Sequence, residues 1–508
     1  MSRDGAVDYI VAKLLEGERK LEKLKRKASR LFSCQSLITT PEIFARFPKN
    51  KLTKEFKELL LKKPTRTLSG VTPIAVMIKP KGSCKHGCVY CPLPDLAAKS
   101  YTGFEPAAMR ARQYNFDPYL QVLSRTEQFE GGGHATDKCE VIVMGGTFLQ
   151  MDNNYKKNFI KGIYDGLNGF KSKSLENAIK FNETAKTHRA IGLTIETRPD
   201  VCVPYIDEML SYGATRVELG VQHPNDKIYK LINRGHDVKN VLDSTKKLKN
   251  SAFKVLYHIM PGLPGSNKKK DISFVKNLFT DERFKPDMLK IYPTLVIEGT
   301  VLEQWTKKGK YQPYTTEEAA DIISEFYRYI PKYVRVMRIQ RDIPSQKIQA
   351  GVKKSNLREL VEEKIREKKI LPQEIRYREV GLQRRKIDLS EFNINILEYK
   401  ASGGTEFFIS YENSEKIIAG FIRMRFASTD QKTALIRELH VYGTEVPMAS
   451  VDEKVQHHGF GIGLLQEAEK IAKKNGKDKI LILSGVGVRE YYRKHGYSLV
   501  KSYMEKKL

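Results

Sequence analysis

The chain has 508 residues, with 89 Lys or Arg against 60 Asp or Glu, which gives a formal net charge of +29. This length predicts two to four domains that each bury a core, and the charge predicts a polyanionic partner such as RNA, DNA or an acidic membrane surface. No apolar stretch approaches the roughly 18 residues that cross a bilayer, and the charged start is unlike a signal peptide. Cys34, Cys139 and Cys202 are scattered and indicate no disulfide framework, so we expect a cytoplasmic protein that does not bind membranes.

The first segment, residues 1–73, is basic and helical in pattern. Residues 1–70 contain 17 Lys or Arg and 8 Asp or Glu, and apolar residues from Ile10 to Leu24 recur near helical spacing. A solvated helix surface explains many lysines. A block of this charge at one end nevertheless favours a surface that contacts nucleic-acid phosphates.

Between residues 74 and 344, short β-rich runs alternate with longer helical stretches, which predicts a parallel α/β sheet, open or closed into a barrel. The predicted strands are Ile74–Lys79, Val141–Met144, Ile191–Glu196, Arg216–Val221, Val255–Met260 and Met288–Tyr292, with Val334–Ile339 as a seventh candidate. In parallel α/β folds the chemistry lies at the carboxyl ends of the strands. We therefore expect the functional residues just after these runs.

The loop after the first strand holds three cysteines, Cys84, Cys88 and Cys91. Three thiolates at this spacing can hold three irons of a 4Fe-4S cluster and leave the fourth iron open for S-adenosylmethionine, whose reductive cleavage gives a 5'-deoxyadenosyl radical. Tyr90 suits stacking on the adenine. The motif resembles the signature of the radical S-adenosylmethionine (radical SAM) enzymes, whose partial (β/α)6 barrel also matches the six predicted units. The alternatives are a zinc knuckle with His86 as a further ligand, or a redox pair of cysteines.

Polar residues stand at the ends of the later strands. They are Gly145, Gly146, Thr147, Glu196, Glu218, Gln222 and Lys290. The three residues after strand two are expected to offer backbone groups to the methionine part of S-adenosylmethionine, and Glu196 and Gln222 are further candidates for binding it. A carboxylate or a lysine inside an apolar strand is costly to bury unpaired. The charged residues are therefore ion pairs inside the barrel or parts of an active site, and their shared position favours the active site.

Residues 345–390 form a charged helical linker, and residues 391–508 predict an α+β domain. Its predicted elements are a hairpin of Glu406–Tyr411 and Ile417–Arg425, a strand at Ala434–Tyr442 and a helix at Leu464–Lys473. Glycines just before that helix let backbone N–H groups approach an anion at the positive end of the helix dipole.

The segment before this helix resembles the pyrophosphate loop of the Gcn5-related N-acetyltransferases, which bind acetyl-CoA; an ordinary helix cap is the alternative. The residues that carry this resemblance are Gln456, Gly459, Phe460, Gly461 and Ile462 in the loop and Glu438, Leu439, His440 and Val441 on the preceding strand. The strand would bind the pantetheine arm. Tyr492, in a stretch that resembles the last helix of that family, would lie beside the thioester sulfur.

A radical SAM barrel followed by an acetyltransferase domain resembles the catalytic subunit of Elongator and its stand-alone archaeal and bacterial relatives. Stretches such as 101–106, 195–200 and 290–295 carry the same likeness. The resemblance implies a tRNA uridine(34) acetyltransferase that binds the anticodon stem-loop and makes 5-carboxymethyluridine at the wobble position. It implies that hydrogen is taken from the acetyl methyl group, that the carbon radical adds to C5 of the uridine, and that the thioester is then hydrolysed.

The resemblance also implies roles for single residues. It makes Lys290 and Tyr492 catalytic and assigns Lys138 to acetyl-CoA, which requires an interface between the two domains. Many relatives bind zinc through cysteines where this chain has Pro372, Glu374 and Tyr377. We therefore predict no zinc site, with packing and ion pairs in its place.

Three rival functions stay open from the sequence. A protein lysine acetyltransferase would use the barrel as a docking platform, and a tRNA-binding scaffold would carry vestigial cofactor sites. Another radical tRNA enzyme, such as a methylthiotransferase, would lack the acetyl-CoA domain. The sequence does not indicate the set of tRNAs, the oligomeric state or the base for thioester hydrolysis.

Overall fold

The computed structural model describes residues 2–61, 70–80, 84, 86–92, 96–383, 387–442 and 459–508. These residues form a small helical part, a parallel sheet surrounded by helices, and a mixed sheet with one long helix. None of the helices in the described ranges has the length and apolar character that crossing a bilayer requires.

Four short helices build the amino-terminal part: α1 (Arg3–Leu15), α2 (Leu21–Leu31), α3 (Thr40–Arg46) and α4 (Lys54–Leu60). Ile10, Leu14 and Leu24 are buried in its core, as the helical spacing predicts, whereas Leu15 at the end of α1 is exposed. The opposite side of α2 exposes Lys23, Arg26, Lys27 and Arg30. We call these four residues the basic face of α2.

Seven parallel strands form the large sheet, in chain order from edge to edge. They are β1 (Thr72–Met77), β2 (Lys138–Met144), β3 (Arg189–Thr197), β4 (Arg216–Gln222), β5 (Lys254–Ile259), β6 (Met288–Ile291) and β8 (Arg335–Ile339), while β7 (Val296–Ile297) pairs with β9 (Ile348–Ala350). The predicted strands and the seventh candidate are confirmed. Because β1 and β8 remain the edges, the sheet is a partial barrel.

Helices between the strands cover the outside of the sheet. They are α5 (Pro106–Gln113), α6 (Pro118–Glu130), α7 (Asn153–Asn168), α8 (Leu175–Glu183), α9 (Ile206–Ser211), α10 (Asp226–Leu231), α11 (Val238–Asn250), α12 (Lys268–Thr280), α13 (Val301–Lys307) and α14 (Thr316–Phe326). Several begin at an Asp or Asn whose side chain accepts from the first turn, such as Asp117, Asp152 and Asn267. The linker forms α15 (Leu357–Glu367) and α16 (Ile375–Arg378).

The carboxyl-terminal sheet is mixed. Its strands are β10 (Asn393–Ala401), β11 (Gly404–Glu412), β12 (Ile418–Ala427), β13 (Thr433–Val441), β14 (Lys479–Ile482), β15 (Ser498–Val500) and β16 (Tyr503–Lys507), with α17 (Phe460–Lys474) and α18 (Arg489–Arg493) beside them. The strands β13 and β14 are parallel and pair only from Thr433 to Ile436 of β13. Beyond that point β13 stays paired with β12 but not with β14, so the sheet splits between β13 and β14.

The two faces of this sheet have different neighbours. One face packs on α17 through a core that includes Met424, Ile436 and Leu464. The other face joins the core of the barrel, to which Phe421 and Leu435 belong. The acetyltransferase-like sheet and the barrel therefore share one continuous apolar core.

Buried ion pairs fix the position of the two sheets. Arg437 lies at a β-bulge of β13 and donates to both carboxylate oxygens of Asp287 at 2.7 and 2.6 Å, and to Glu406. Lys249 lies 3.6 Å from Asp287, and burial lowers the pKa of this lysine to about 8. Asp287 precedes β6 directly. The interface therefore lies at the amino ends of the barrel strands.

Candidate active site

A cavity of about 220 Å³ opens at the carboxyl ends of the barrel strands, where the strand order predicts it. Its walls come from the cysteine loop, from β1 to β6 and from β8. Among the residues expected at this site, the lining includes Cys84, Cys88, Tyr90, Cys91, Gly146, Thr147, Glu196, Glu218, Gln222 and Lys290. Residues about 200 positions apart in the chain are thus brought to one cavity.

The three cysteines of the loop are free thiols that line this cavity, with Cys88 buried and the other two half-buried. Arg234 donates to the Cys88 sulfur at 3.7 Å. Lys99 donates to the backbone carbonyl of Cys84 at 3.1 Å. These two cations place positive charge beside the loop, whereas burial raises the pKa of the Cys91 thiol to about 12.

The geometry of the thiols fits an iron–sulfur cluster better than a single zinc ion. Within the described ranges, the one group of three ligand atoms that all lie within 4.8 Å of one another is Glu196, Glu218 and His258, not the cysteines. In a tetrahedral zinc site the sulfur atoms lie about 3.8 Å apart. At least two of the three sulfurs are therefore more than 4.8 Å apart, and three thiols without a fourth cysteine on the described cavity wall suit a cluster with one open iron.

Charged residues form a network on the opposite wall. Lys290 donates to Glu218 and lies 3.9 Å from Glu196, and His258 Nε2 lies 2.7 Å from Glu218. Burial lowers the pKa of Lys290, but the neighbouring carboxylates outweigh it and hold the pKa above its usual value. The predicted ion pairs are present and these residues also line the cavity; their role in an active site stays a prediction.

In the glycine turn after β2, Gly145 packs against the core, whereas the next two residues line the cavity. Gly145 has φ +121°, and a Cβ atom there would lie 2.6 Å from Ile78 Cγ1, so only glycine fits. Its N–H donates to Glu196 at 3.3 Å, and its carbonyl accepts from Phe148. Gly146 and Thr147 line the cavity. Gln222, with φ +68°, also lines it, and the contacts of these residues with S-adenosylmethionine stay predictions.

The predicted acetyl-CoA strand is the split part of β13. Glu438, Leu439, His440 and Val441 lie beyond the last residue that pairs with β14. Glu438 accepts from Arg423 at 2.7 Å. Burial lowers the pKa of His440 to about 4, and its Nε2 has no hydrogen-bond partner among the described atoms. This part of β13 pairs with β12 on one side only, so its other edge and the Nε2 of His440 are available where a pantetheine arm is expected.

The glycine loop is described only from Gly459 onward. Gln456 lies outside the described residues. Gly459 has φ +75° and caps α17, and a Cβ atom at Gly461 would lie 2.9 Å from the hydroxyl of Tyr491. Phe460 is buried against Phe392 and Tyr411, whereas the side chain of Ile462 is exposed.

Tyr492 lies in α18 and is buried, with its ring 5.3 Å from that of Tyr491 and 6.0 Å from that of Tyr497. Burial raises its pKa above the usual value. Lys138 begins β2 and lies beside Arg189, whose Cβ a side chain at Gly487 would meet. The domain interface that a role for Lys138 requires is therefore present.

The segment from Pro372 to Glu379, where we predict no zinc site, is held by packing and polar contacts. The buried carboxylate of Glu374 accepts from the backbone N–H of Val336 at 3.0 Å. Arg378 makes a two-pronged pair with Glu412 at 3.1 and 3.2 Å. The ring of Tyr377 lies 5.4 Å from that of Tyr327. These are the contacts we predict there, and the absence of zinc stays a prediction.

The sequence analysis assigned no site role to several residues that line the cavity, apart from His86 as a zinc alternative. They are Lys99, Tyr101, Arg234, His258, Tyr292, Arg338 and Arg341. Tyr101 donates to Glu196 at 2.7 Å, and Arg341 lies over the Tyr101 ring. His258, Tyr292 and Arg338 could have been found from their places at or next to the ends of strands. Lys99 and Arg234 come from loops, and no local pattern indicates their contacts.

Comparison with known proteins places the chain in a family. Residues 78–276 match the radical SAM superfamily, residues 286–367 the radical SAM C-terminal domain and residues 374–497 the acetyltransferase (GNAT) family. The tRNA uridine(34) acetyltransferase of Methanocaldococcus infernus is 46% identical, with 99% of this chain and 97% of that protein covered. This chain belongs to the family of tRNA uridine(34) acetyltransferases and Elongator complex protein 3.

The same family includes eukaryotic relatives. Elongator complex protein 3 of Schizosaccharomyces pombe is 42% identical, with 98% of this chain and 97% of that protein covered. The solved archaeal Methanocaldococcus infernus Elp3 with an amino-terminal deletion has a TM-score of 0.77 and 45% identity, and it covers 87% of this chain. The predicted fold, a radical SAM barrel followed by a Gcn5-related acetyltransferase domain, is confirmed. These domains imply S-adenosylmethionine, a 4Fe-4S cluster and acetyl-CoA.

Proposed function

We propose that this protein is a tRNA uridine(34) acetyltransferase that forms 5-carboxymethyluridine at the wobble position of tRNA anticodons. Acetyl-CoA would donate the two carbons and S-adenosylmethionine the radical chemistry. The observation that carries the proposal is that a thiol-lined cavity and an acetyltransferase sheet lie at the two ends of one barrel. Relatives that span nearly the whole chain bear the name of this activity.

In this proposal, Cys84, Cys88 and Cys91 hold the cluster, which supplies one-electron cleavage of S-adenosylmethionine when both are bound. Lys290 faces the cavity as a cation because Glu218 and Glu196 hold its proton on. A buried ammonium suits an oxygen of the acetyl group or of the uracil ring. Lys290 would thereby position the two reactants above the carboxylates.

The acetyltransferase domain would hold the donor. The split part of β13 leaves backbone groups on its β14 side for the pantetheine arm. Gly459 caps α17 and has no side chain, so a pyrophosphate can approach the positive amino end of that helix. Tyr492 would lie beside the thioester, and Lys138 would contact the same donor from the barrel side.

The RNA would bind to the amino-terminal part. The basic face of α2 is exposed, and none of its four residues forms an ion pair with a described side chain. Free cations on one helix face suit the evenly spaced phosphates of a stem-loop, whereas the unstacked anticodon bases need a pocket.

The proposal includes four domains, which span residues 1–73, 74–344, 345–390 and 391–508. It also includes a cytoplasmic location.

The decisive experiment is analysis of tRNA nucleosides after the reaction. Anaerobically reconstituted protein is incubated with S-adenosylmethionine, a reductant, acetyl-CoA and unmodified tRNA, and nucleosides are identified by mass spectrometry. Wild type and Cys202→Ser, a buried cysteine away from the cluster loop, should give 5-carboxymethyluridine, whereas Cys88→Ser should give none and still bind tRNA. Acetylated lysine peptides without any modified nucleoside would instead favour a protein acetyltransferase.

A second experiment separates the donor site from the cluster. Tyr492→Phe removes one hydroxyl from a buried ring, so we expect a higher KM for acetyl-CoA or a lower kcat with unchanged iron content. Tyr503→Phe, which removes a hydroxyl from a half-buried ring in β16, is the control. Equal kinetics in both variants would contradict a role for Tyr492 at the thioester.

A further inference from the structure

The interior of the barrel has a polar layer beneath the cavity. Side chains two residues apart on a strand share a face. Ile142, Glu196 and Glu218 line the cavity, so Glu140, Thr194 and Arg216 occupy the next layer toward the amino ends, about 6.6 Å lower. Interiors of parallel barrels are usually filled by branched apolar side chains. A charged pair and a threonine in this layer therefore need an explanation.

This layer contains hydrogen-bonding atoms that the protein leaves unused. Arg216 is 2% exposed and pairs with Glu140 through Nη1, while its Nε lies 3.4 Å from Glu218 without hydrogen-bond geometry. Its Nη2 and the Thr194 hydroxyl have no hydrogen-bond partner among the described atoms. Thr194 and Arg216 are direct neighbours across β3 and β4. Unused donors at this depth are costly unless a ligand or water fills the space.

The layer also faces the acetyltransferase strand. Burial lowers the pKa of Arg216, but Glu140, Glu218 and Glu438 of β13 outweigh it and raise that pKa. On the other side of the split, a Cβ atom at Gly485, just after β14, would overlap the Ile191 backbone of β3. The split between β13 and β14 therefore opens onto the amino end of β3 and β4.

The cavity itself receives no side chain from the acetyltransferase domain, as far as the chain is described. A donor held on β13 must nevertheless bring its methyl carbon to the cavity if the proposed function holds. The polar layer of Glu140, Thr194 and Arg216 lies directly between the two.

We propose that the acyl arm of acetyl-CoA enters the barrel from its amino end, past Glu140 and Thr194, and that Arg216 donates a hydrogen bond to the acyl carbonyl there. Arg216 is then a positioning residue for the donor. This inference rests on the proposed function, because it assumes that acetyl-CoA binds on β13.

The path is tested with an electrophilic donor and a cysteine placed in the layer. Bromoacetyl-CoA is added to the Thr194→Cys protein without its cluster, and modified peptides are located by mass spectrometry. If the arm enters, the introduced thiolate attacks the methylene carbon, a carbon–sulfur bond forms and bromide leaves. We expect labelling at least ten times faster than with equimolar bromoacetamide, and suppression of that labelling by excess CoA.

The matched control is Thr245→Cys, a fully buried threonine of α11 outside the barrel interior. It should remain unlabelled by bromoacetyl-CoA. If the reagent competes with acetyl-CoA for the protein but leaves position 194 unmodified, the path is refuted while the proposed function stands. If the reagent does not bind at all, the proposed function itself fails.

The role of Arg216 is tested in the same background. Adding Arg216→Gln should lower the rate with bromoacetyl-CoA at least tenfold and leave the rate with bromoacetamide unchanged, because only the first reagent carries an arm to be positioned. Adding Arg216→Lys keeps the charge that Glu140 and Glu218 require, so this variant serves if the glutamine variant does not fold. It should lower the ratio of the bromoacetyl-CoA rate to the bromoacetamide rate at least threefold. An equal fall for both reagents, or no fall, would refute the positioning role.

Discussion

Replacing Asp287 by asparagine tests what holds the acetyltransferase sheet on the barrel. Asp287 is fully buried and accepts from both nitrogens of the Arg437 fork at 2.6 and 2.7 Å, with Lys249 at 3.6 Å. An asparagine offers one oxygen and one NH2 group, so at least one of these hydrogen bonds is replaced by two donors that face each other. Both cations also lose the charge of Asp287 and keep only Glu406 as an acidic partner among the described residues.

Removing one partner of a buried ion pair typically costs about 3–5 kcal/mol. Arg437 keeps Glu406 as a second partner at 2.7 Å, so we expect Asp287→Asn to lower the free energy of unfolding by about 3 kcal/mol. Urea unfolding followed by circular dichroism measures the whole chain, and fluorescence of the single tryptophan, Trp305, reports on the barrel. Because the core is continuous, both signals should shift together.

The control is Asp281→Asn, the same change in a pair with the exposed Arg283. We expect no measurable change there, since surface pairs contribute little. If Asp287→Asn unfolds at the same urea concentration as this control, the buried ion pairs do not hold the two sheets together. The argument that the donor strand is fixed against the barrel would then fail.

Three further predictions concern the cavity wall, acid stability and RNA binding. Gly145→Ala should lower the thermal midpoint, since a Cβ atom would lie 2.6 Å from Ile78 Cγ1 at φ +121° and such strain costs about 1–3 kcal/mol; Gly146→Ala, with no atom within 4 Å, should not. Burial lowers the pKa of His223 to about 4, so the fold requires its neutral form. The free energy of unfolding should therefore fall by about 3 kcal/mol as pH falls from about 6.5 to 4, because the unfolded chain takes up the proton more readily. Urea unfolding at several pH values should show a shallower loss for His223→Gln, and an identical pH dependence would contradict this. Neutralising the basic face of α2 should reduce the slope of log affinity for tRNA against log salt by about 0.7–0.9 for each phosphate that the protein no longer neutralises; filter binding at several salt concentrations measures it, and an unchanged slope would assign that face another role.

The parallel strands were predictable because their residues are apolar and β-branched and are separated by helical stretches. The strand β10 was missed, since as an edge strand it alternates between exposed and half-buried residues, and its apolar signal is weak. The strands β14, β15 and β16 were missed because they are only three to five residues long. Such segments become strands only through the neighbours on which they pair.

The cluster loop was predictable because its three cysteines are adjacent in sequence and need no tertiary information. The pair of Arg216 with Glu140 depends on the register of neighbouring strands, and the pair of Arg437 with Asp287 joins residues 150 positions apart. Neither has a local signal. The sequence therefore indicated the radical SAM domain and the acetyltransferase domain, whereas only the structure shows that an interface of buried charges joins the two domains.

The proposed function requires that the cluster cavity and the acetyl-CoA site act on one substrate. The most direct test of this requirement is the fate of the methyl hydrogens of acetyl-CoA. Reconstituted protein, tRNA, S-adenosylmethionine and a reductant are incubated with acetyl-CoA whose methyl group carries deuterium, and the 5'-deoxyadenosine formed is analysed by mass spectrometry. A shared site predicts deuterium in that product and 5-carboxymethyluridine in the tRNA. Deuterium-free 5'-deoxyadenosine, formed while the tRNA is modified, would contradict hydrogen transfer from the donor and the joined site with it.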